Sequence, residues 1–341
     1  MSDPLVVVDA DVLGRRRTGD ETHVANLLRE LGKQAAGLRL VALTRHPELG
    51  PDGIEAYRLA ARIQEVRMVI GVPRALRRLR PALVHFQYVL PPFLPCPGVV
   101  TVHDLSFERD RAMMGTIDRR IFRTLVPRSV ARAARVLTVS ERSKADLVAH
   151  YGVDPSKIVV TPNAVDPAFA PGGAGSGGGG GYALFVGAIQ ARKDPIAAAE
   201  AAAAAGLPLV VVGPEKDAAL ARELRVRGAE LRGYLELDEL AAVYREAAVL
   251  ILPSRHEGFG LPVLEAMASG TPVVLSEDAA LREVAGDAAL YADRAGLGDA
   301  VRQALSDRPR LVAAGLERAG RFSWAETARL TLAVYREALA C

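Results

Sequence analysis

The sequence predicts an α/β protein with two open, parallel β-sheets, one in each of two domains. Short apolar segments of strand length alternate with helical or loop segments, which is the pattern of parallel strands covered on both faces. One series of such segments ends before a glycine-rich stretch at 171–181, and a second series begins after it. A length of 341 residues with 50% hydrophobic content is enough for two cores of ordinary size.

The first series opens with a β-branched strand, a polar loop and leucines at helical spacing. The predicted strands of the first domain are Leu5–Val8, Leu38–Leu43, Leu83–Phe86, Gly98–Val102 and Val136–Val139, and those of the second are Tyr182–Val186, Leu209–Val212, Glu230–Arg232, Val249–Leu252 and Pro272–Leu275. We expect the alanine-rich stretch Ile196–Gly206 to form a helix, because Gly206 and then Pro208 supply a stop signal.

Composition excludes several classes of protein. A net charge of +3 predicts no strong general attraction to nucleic acid. Cys96 and Cys341 are far apart and form no CxxC motif, so neither a disulfide framework nor a zinc site is expected, and a reducing cytoplasm is the predicted location. No apolar stretch reaches the roughly 18 residues of a membrane-spanning helix. The start of the chain also lacks the basic and apolar regions of a signal peptide.

Two other patterns carry little weight. The glycine-rich stretch at 171–181 is not followed by the Lys and Ser or Thr of a phosphate-binding loop, so we interpret it as a linker. Asp9-Ala10-Asp11 has the spelling of a metal-binding DxD motif, but it ends the first strand of an alternating α/β series. The histidines form no HExxH motif or closely spaced pair, and no metal is predicted.

The most informative segment is 253–272, in which a strand, a glycine loop and a helix follow in order. Pro262 suits the first position of the helix, and Glu265 lies in its first turn. Gly258 and Gly260 allow backbone N–H groups to approach a ligand closely, while the helix N-terminus favours a phosphate. By itself this pattern also fits a capped helix with a solvated Glu257 and a Glu265 that only stabilises the helix dipole.

The two glutamates, separated by seven residues within E-G-F-G-L-P-V-L-E-A-M-A-S-G-T-P-V-V, resemble the hallmark of the retaining family 4 glycosyltransferases. The resemblance implies the GT-B fold, with two Rossmann-like domains whose parallel sheets face a central cleft. It also implies that Glu257 approaches the donor sugar and that Glu265 accepts hydrogen bonds from the ribose. The loop N–H groups of Gly258, Phe259 and Gly260 would face phosphate or sugar.

The stretch 185–195 follows the first strand of the second domain and carries Gly187, Arg192 and Lys193. Ligands of open α/β sheets bind outside the carboxyl ends of strands, where this pair of cations could bind a diphosphate. A solvated charged turn is the alternative. Lysine is scarce, since only five of the 43 basic residues are Lys, which favours a function. The spacing is similar to the family's diphosphate-binding loop, which implies that these cations stabilise the leaving nucleoside diphosphate.

Three further residues are predicted to lie at the site. His103 ends the apolar strand of Thr-Val-His-Asp and resembles a donor-sugar ligand of the family, although a structural histidine gives the same pattern. Asn163 lies in Pro-Asn-Ala-Val-Asp, where Ala164 replaces the family's usual glycine. A structural turn and a ligand contact both remain open for it.

Gly19 is the third of these residues, in Arg-Thr-Gly-Asp-Glu, and it is the candidate for a close approach to donor or acceptor. Thr18 and Glu21 match a capping box, which is ordinary helix initiation. Asp20 and Glu21 stand beside Gly19, and like charges repel, so this spot is predicted to disfavour an anionic acceptor group.

We therefore predict a retaining, metal-independent hexosyltransferase that uses no cofactor beyond a GDP- or UDP-linked donor sugar. The sugar would be of mannosyl or glucosyl type, and the acceptor a hydroxyl of a glycan, a lipid-linked glycan or a small molecule. The catalytic set is His103, Arg192, Lys193 and Glu257. The competing hypotheses are a nucleotide-sugar 2-epimerase of the same fold and a non-catalytic nucleotide- or carbohydrate-binding relative.

The predicted domains are 1–170 on the acceptor side, 171–321 for the nucleotide sugar, and a helix at 322–341 that returns to the first domain. No nucleic acid partner is expected. The segments 73–80 and 109–135 are basic with interleaved apolar residues, a pattern that predicts peripheral contact with the inner face of the cell membrane, with a solvated basic face as the alternative.

Overall fold

The computed structural model describes residues 3–15, 18–60, 66–109, 116–172 and 181–340. It divides into two compact units: residues 1–163 with 324–341, and residues 164–323. Each unit is built around its own parallel sheet. The predicted fold class, two Rossmann-like parallel-sheet domains, is confirmed.

The sheet of the first unit has seven strands in the order β3-β2-β1-β4-β5-β6-β7, all parallel. The chain therefore reverses its direction of winding between β1 and β4, which creates a switch point at the carboxyl ends of these strands. The strands are β1 (Leu5–Asp9), β2 (Arg39–Thr44), β3 (Glu55–Arg58), β4 (Leu83–Gln87), β5 (Gly98–Thr101), β6 (Arg135–Thr138) and β7 (Ile158–Val160).

Helices cover both faces of this sheet, so the central strands are buried. One face packs against α1 and the last helix, with Leu28, Leu332 and Tyr335 in the same apolar cluster. The helices are α1 (Thr18–Gln34), α2 (Val72–Leu79), preceded by a π-helical turn at Arg67–Gly71, α3 (Ser106–Arg109), α4 (Thr116–Arg132), α5 (Glu141–Tyr151) and α13 (Trp324–Ala340). The C-terminal helix thus belongs to the first unit.

The sheet of the second unit has six parallel strands in the order β10-β9-β8-β11-β12-β13. Its switch point lies between β8 and β11. The strands are β8 (Ala183–Val186), β9 (Leu209–Val212), β10 (Glu230–Gly233), β11 (Val249–Leu252), β12 (Val273–Leu275) and β13 (Leu290–Tyr291).

The helices of the second unit are α6 (Pro195–Ala204), α7 (Ala218–Val226), α8 (Leu237–Glu246), α9 (Leu261–Ala268), α10 (Ala279–Ala285), α11 (Leu297–Ser306) and α12 (Arg308–Ala319). The alanine-rich helix is where the sequence predicts it, and most of its alanines are buried because α11 and α7 pack closely on it. Short side chains permit this close approach.

The chain passes from the first unit to the second between residues 163 and 164, and returns between residues 323 and 324. The domain boundaries predicted from the sequence lie between residues 170 and 171 and between residues 321 and 322. The segment after Asn163 already packs in the second unit. The Phe169 ring meets the Tyr244 ring edge-on, with 5.6 Å between centroids, and Arg245 donates a hydrogen bond to the Ala168 carbonyl. Much of the predicted glycine linker, residues 173–180, lies outside the described residues.

Candidate functional site

The switch point of the second unit brings two predicted segments together. Arg192 and Lys193 lie in a short 3₁₀ turn that follows β8, and Glu257 lies in the loop that follows β11. Because β8 and β11 are hydrogen-bonded neighbours, both loops leave the same edge of the sheet. This is the position where open α/β sheets bind ligands.

Glu257 is clamped by both cations. The Lys193 ammonium donates a hydrogen bond to Glu257 Oε1, and the Arg192 guanidinium lies 3.5 Å from Oε2. Arg192 also donates to the carbonyl of His256, and the Arg255 N–H donates to the Arg192 carbonyl over 2.9 Å. The two loops therefore hold each other, and the three charged groups form one nearly buried cluster of two cations and one carboxylate.

The cations decide the charge state of Glu257. The side chain is only 6% exposed, and burial alone would raise its pKa. The charges of Lys193 and Arg192, with the hydrogen bond from Lys193, outweigh burial and lower the pKa to about 2. Glu257 is consequently ionised at every physiological pH, and the cluster keeps a net positive charge of one.

Glu265 has a different environment. It lies on α9 and is 8% exposed. Its Oε2 accepts a 2.7 Å hydrogen bond from the Tyr244 hydroxyl of α8. Burial, together with the nearby Asp166, raises the pKa of Glu265 to about 7, and the Tyr244 hydrogen bond works in the opposite direction. No Lys or Arg among the described residues forms an ion pair with it.

Close packing requires glycine at two positions in or beside these loops, Gly260 and Gly213. Gly260 precedes α9 with φ of 104°, and an added Cβ would lie 2.8 Å from a Leu281 methyl. The Gly187 carbonyl, at the end of β8, would be 2.2 Å from a Cβ added to Gly213. The Phe259 ring is buried and meets Phe322 edge-on, with 5.9 Å between centroids. A larger residue at Gly260 or Gly213 would therefore displace its neighbours.

His103 lies in the first unit, just beyond β5, and is 7% exposed. Its Nε2–H donates to Gln87 Oε1 at the end of β4 over 2.9 Å. The His23 ring packs edge-on at 4.6 Å between centroids. His23 in turn donates from Nδ1 to Asn163 Oδ1 over 2.7 Å. The predicted residues His103 and Asn163 are thus joined through His23.

These histidines are neutral. Burial lowers the pKa of His103 to about 4, against a small opposing effect of Asp104. Burial and His103 lower the pKa of His23 to about 3. With Nε2 of His103 as the donor to Gln87, its Nδ1 is the acceptor nitrogen.

Gly19 lies in the first turn of α1, and a Cβ added there would meet no other group of the described residues within 4 Å. Glu21 Oε1 accepts a 2.6 Å hydrogen bond from the Gly14 N–H, so this side chain ties the loop after β1 to the helix. The side chain of Thr18, the other half of the predicted capping box, lies outside the described residues.

Tyr244, His23 and Gln87 were not predicted from the sequence. A lone tyrosine or histidine on an apolar helix face is ordinary core, and their partners are distant in sequence. Asn163 offered one signal, because the chain has only two asparagines and a buried amide needs a partner.

The two carboxylates of Asp9-Ala10-Asp11 form ion pairs with arginine side chains. Asp11 Oδ1 accepts from Arg45 Nε over 2.7 Å, and Asp9 pairs with Arg67 at 3.2 Å. Within the described ranges, no group of three or more His, Cys, Asp or Glu side chains could hold a metal ion. No helix in these ranges has both the length and the hydropathy needed to cross a bilayer.

Comparison with known proteins agrees with a two-domain sugar transferase. A model of the glycosyl transferases group 1 matches residues 181–307, and a model of glycosyltransferase family 4 matches residues 17–169. The chain belongs to this family of glycosyltransferases.

Among its relatives, the O-antigen chain mannosyltransferase B of Escherichia coli is 29% identical, over 88% of this chain and 83% of the relative. The D-inositol 3-phosphate glycosyltransferase of Segniliparus rotundus is 31% identical, over 76% of this chain and 67% of the relative. The chain thus spans about two thirds of this second protein.

The fold is similar to that of two solved structures. Sucrose-phosphate synthase from Thermosynechococcus elongatus aligns over 99% of both chains with a TM-score of 0.79 and 20% identity. Anabaena HepE in complex with UDP-glucose aligns over 98% of this chain and 99% of its own, with a TM-score of 0.75 and 12% identity.

Proposed function

We propose that this glycosyltransferase transfers a hexosyl group, of mannosyl or glucosyl type, from a GDP- or UDP-linked sugar to a hydroxyl acceptor with retention of anomeric configuration. The observation that carries the proposal is the buried cluster of Arg192, Lys193 and Glu257 at the switch point of the second sheet. One relative is named a mannosyltransferase, and one structural neighbour binds UDP-glucose.

Arg192 and Lys193 would stabilise the leaving diphosphate. The pair outnumbers the single carboxylate of Glu257, so the cluster attracts an anion, and its ion pairs already fix both cations in place. Preorganised charge of this kind, aimed at a charge that develops in the transition state, contributes roughly 3 kcal/mol for each donor.

Glu257 and His103 would act on the donor sugar. The Glu257 carboxylate stays ionised and can stabilise positive charge on the ring as the glycosidic bond breaks. The neutral His103 can accept a hydrogen bond from a sugar hydroxyl at Nδ1. The acceptor oxygen would bond to the anomeric carbon on the face that the diphosphate leaves, and the acceptor proton would pass to the departing phosphate oxygen.

The nucleoside would be held by Glu265 through the ribose hydroxyls, and the N–H groups of Gly258, Phe259 and Gly260 would face phosphate or sugar. Gly187 would also line the donor site, with its own N–H donated to the Val212 carbonyl over 2.9 Å. Asn163 would contribute a contact from the first unit. Gly19 would allow close approach of a ligand at the start of α1, and Asp20 and Glu21 beside it would disfavour an anionic acceptor group.

The test is a donor panel that includes UDP-glucose and GDP-mannose, measured by thermal shift and by nucleotide release in the presence of glycan and polyol acceptors. We expect transfer of the sugar to an acceptor hydroxyl. NMR of the product should show the same anomeric configuration as in the donor. An inverted product would overturn retention. A changed nucleotide sugar released without an acceptor would indicate the epimerase instead.

We also propose peripheral contact with anionic membranes through the basic segments 73–80 and 109–135. Helix α2 buries Val72, Ala75 and Leu76 and exposes its arginines, and just before it the Val69 side chain is 57% exposed. Residues 110–115 of the second segment lie outside the described residues. Sedimentation with phosphatidylglycerol vesicles tests this contact: we expect the wild type to bind and Arg74→Glu/Arg77→Glu/Arg78→Glu to remain in solution, whereas equal binding of both would contradict it.

A further inference from the structure

Tyr244 is held rigidly beside Glu265. It is fully buried on α8, and its hydroxyl donates to Glu265 Oε2 over 2.7 Å. Phe169 packs edge-on against its ring. The Thr271 hydroxyl donates to the Tyr244 backbone carbonyl over 2.5 Å. The phenol therefore has one orientation, and in that orientation its only acidic hydrogen is directed at the carboxylate.

The groups around Glu265 disfavour a negative charge. Tyr244 faces the carboxyl from α8, and Asp166 faces it from the segment before β8. No cation among the described residues forms an ion pair with Glu265, in contrast to Glu257. A buried carboxyl beside a second acid prefers its neutral form, and here the Tyr244 hydrogen bond is the group that favours the ionised one.

We propose that Tyr244 is a positioning residue that orients Glu265 for the ribose hydroxyls of a nucleotide, and that the nucleotide and a proton compete for this carboxylate. The proposal rests on the assignment of Glu265 to the ribose in the proposed function. Oε2 is engaged by Tyr244 through one lone pair, so Oε1 and the remaining lone pair of Oε2 can accept the 2′- and 3′-hydroxyl hydrogens.

The competition follows from hydrogen-bond chemistry. An ionised carboxylate accepts from both ribose hydroxyls, whereas the protonated carboxyl loses acceptor capacity on the oxygen that carries the hydrogen. Nucleotide binding therefore favours ionisation, and the released proton goes to solvent. With the pKa of Glu265 raised to about 7 in the free protein, apparent affinity should fall about tenfold for each pH unit below neutrality.

Removal of the Tyr244 hydroxyl should move this pH dependence. Tyr244→Phe keeps the buried ring but leaves Glu265 without the hydrogen bond that stabilises its charge. We expect the affinity profile to move to higher pH by about one unit. The defect should therefore be about tenfold at pH 6 to 7 and small at pH 9, with kcat at saturating donor unchanged. A merely structural defect would be the same at every pH.

The binding experiment uses UDP and GDP as probes in calorimetric titrations from pH 5.5 to 9, in two buffers of different ionisation enthalpy to count released protons. Glu265→Gln cannot ionise, so its affinity should keep only the pH dependence that comes from the terminal phosphate of the nucleotide. The matched control is Tyr182→Phe, which removes a tyrosine hydroxyl bonded to the Val243 carbonyl of the same helix but does not touch Glu265. It should keep the wild-type profile.

A measurement without nucleotide separates this proposal from the proposed function. In protein labelled with ¹³C at glutamate carboxyls, one NMR resonance should titrate near pH 7, be absent in Glu265→Gln and titrate at higher pH in Tyr244→Phe. An unmoved resonance in Tyr244→Phe overturns the role of Tyr244. A pH dependence of nucleotide binding that is the same in the wild type and in Glu265→Gln overturns the competition, while the proposed function stands. Failure of both UDP and GDP to bind at any pH overturns the nucleotide assignment itself.

Discussion

Glu257 and Glu265 belong to the same loop and helix, with seven residues between them, and both are almost completely buried. Lys193 and Arg192 lower the pKa of the first to about 2, whereas burial raises the pKa of the second to about 7. The same side chain is therefore a permanent anion at one position and a titrating group at the other. The difference lies in the partners that neighbouring strands and helices supply.

The largest expected effect is the loss of the cations. Lys193→Ala or Arg192→Ala should lower turnover by roughly 10²–10³, because each removes preorganised charge at the leaving group. Steady-state kinetics at saturating donor measures it. Lys216→Ala, which removes an exposed lysine of the same unit, is the control and should leave turnover unchanged. Unchanged turnover in both site variants would contradict the assignment of Arg192 and Lys193 to the diphosphate, and with it the proposed environment of Glu257.

Glu257→Gln should mainly reduce kcat, by about 10²-fold, because its charge acts on a sugar that becomes positive only as the bond breaks. Donor saturation kinetics together with calorimetric donor binding separates rate from affinity. Glu277→Gln, at an exposed residue paired with Arg282, is the control. A preserved kcat with collapsed donor affinity would show that the two glutamates do not divide their roles in this way.

Glu265→Gln should mainly raise the donor KM, by about tenfold at pH 8.5, where the wild-type carboxyl is ionised. A ribose contact is made in both the ground and the transition state, so its loss weakens binding more than it slows chemistry. The same saturation kinetics measures it. A loss confined to kcat would contradict the ribose assignment.

The two glutamates should have opposite effects on the pH dependence of stability. The lowered pKa of Glu257 contributes stability above its unfolded value of about 4.3 that is lost as pH falls through 4 toward 2. The raised pKa of Glu265 contributes stability at low pH that is lost as pH rises through 7. Urea unfolding of each Glu→Gln variant against the wild type should show these opposite slopes, on the order of 1–3 kcal/mol. Parallel slopes would refute the assigned charge states.

The smallest expected effect is that of chelation. Arg192 and Lys193 are the proposed charge partners of the donor diphosphate, so activity should be unchanged in EDTA. Initial rates with and without the chelator test this. A loss of activity that Mg²⁺ or Mn²⁺ restores would show that a metal ion takes the charge-stabilising role proposed for Arg192 and Lys193.

Local patterns predicted most of the architecture. Buried central strands and the alanine-rich helix were predicted because apolar runs and stop signals are local. The edge strands β3, β7 and β13 were not predicted as strands: β3 carries two charged residues, β7 and β13 are only three and two residues long, and each pairs with only one neighbour. The first domain boundary was predicted at 170/171, after the boundary at 163/164 in the structure. The packing of Phe169 on Tyr244, which joins this segment to the second unit, involves residues far apart in sequence.

The sequence by itself determined the fold class, the family and the candidate residues, since strand and helix periods and the spacing of the two glutamates are local properties. Only the tertiary structure decided the charge of each glutamate and the neutrality of His103. Their partners lie 64 positions away for Glu257 and Lys193, 21 for Glu265 and Tyr244, and 16 for His103 and Gln87. Charge states depend on burial and on such partners, and both arise only when distant segments pack together.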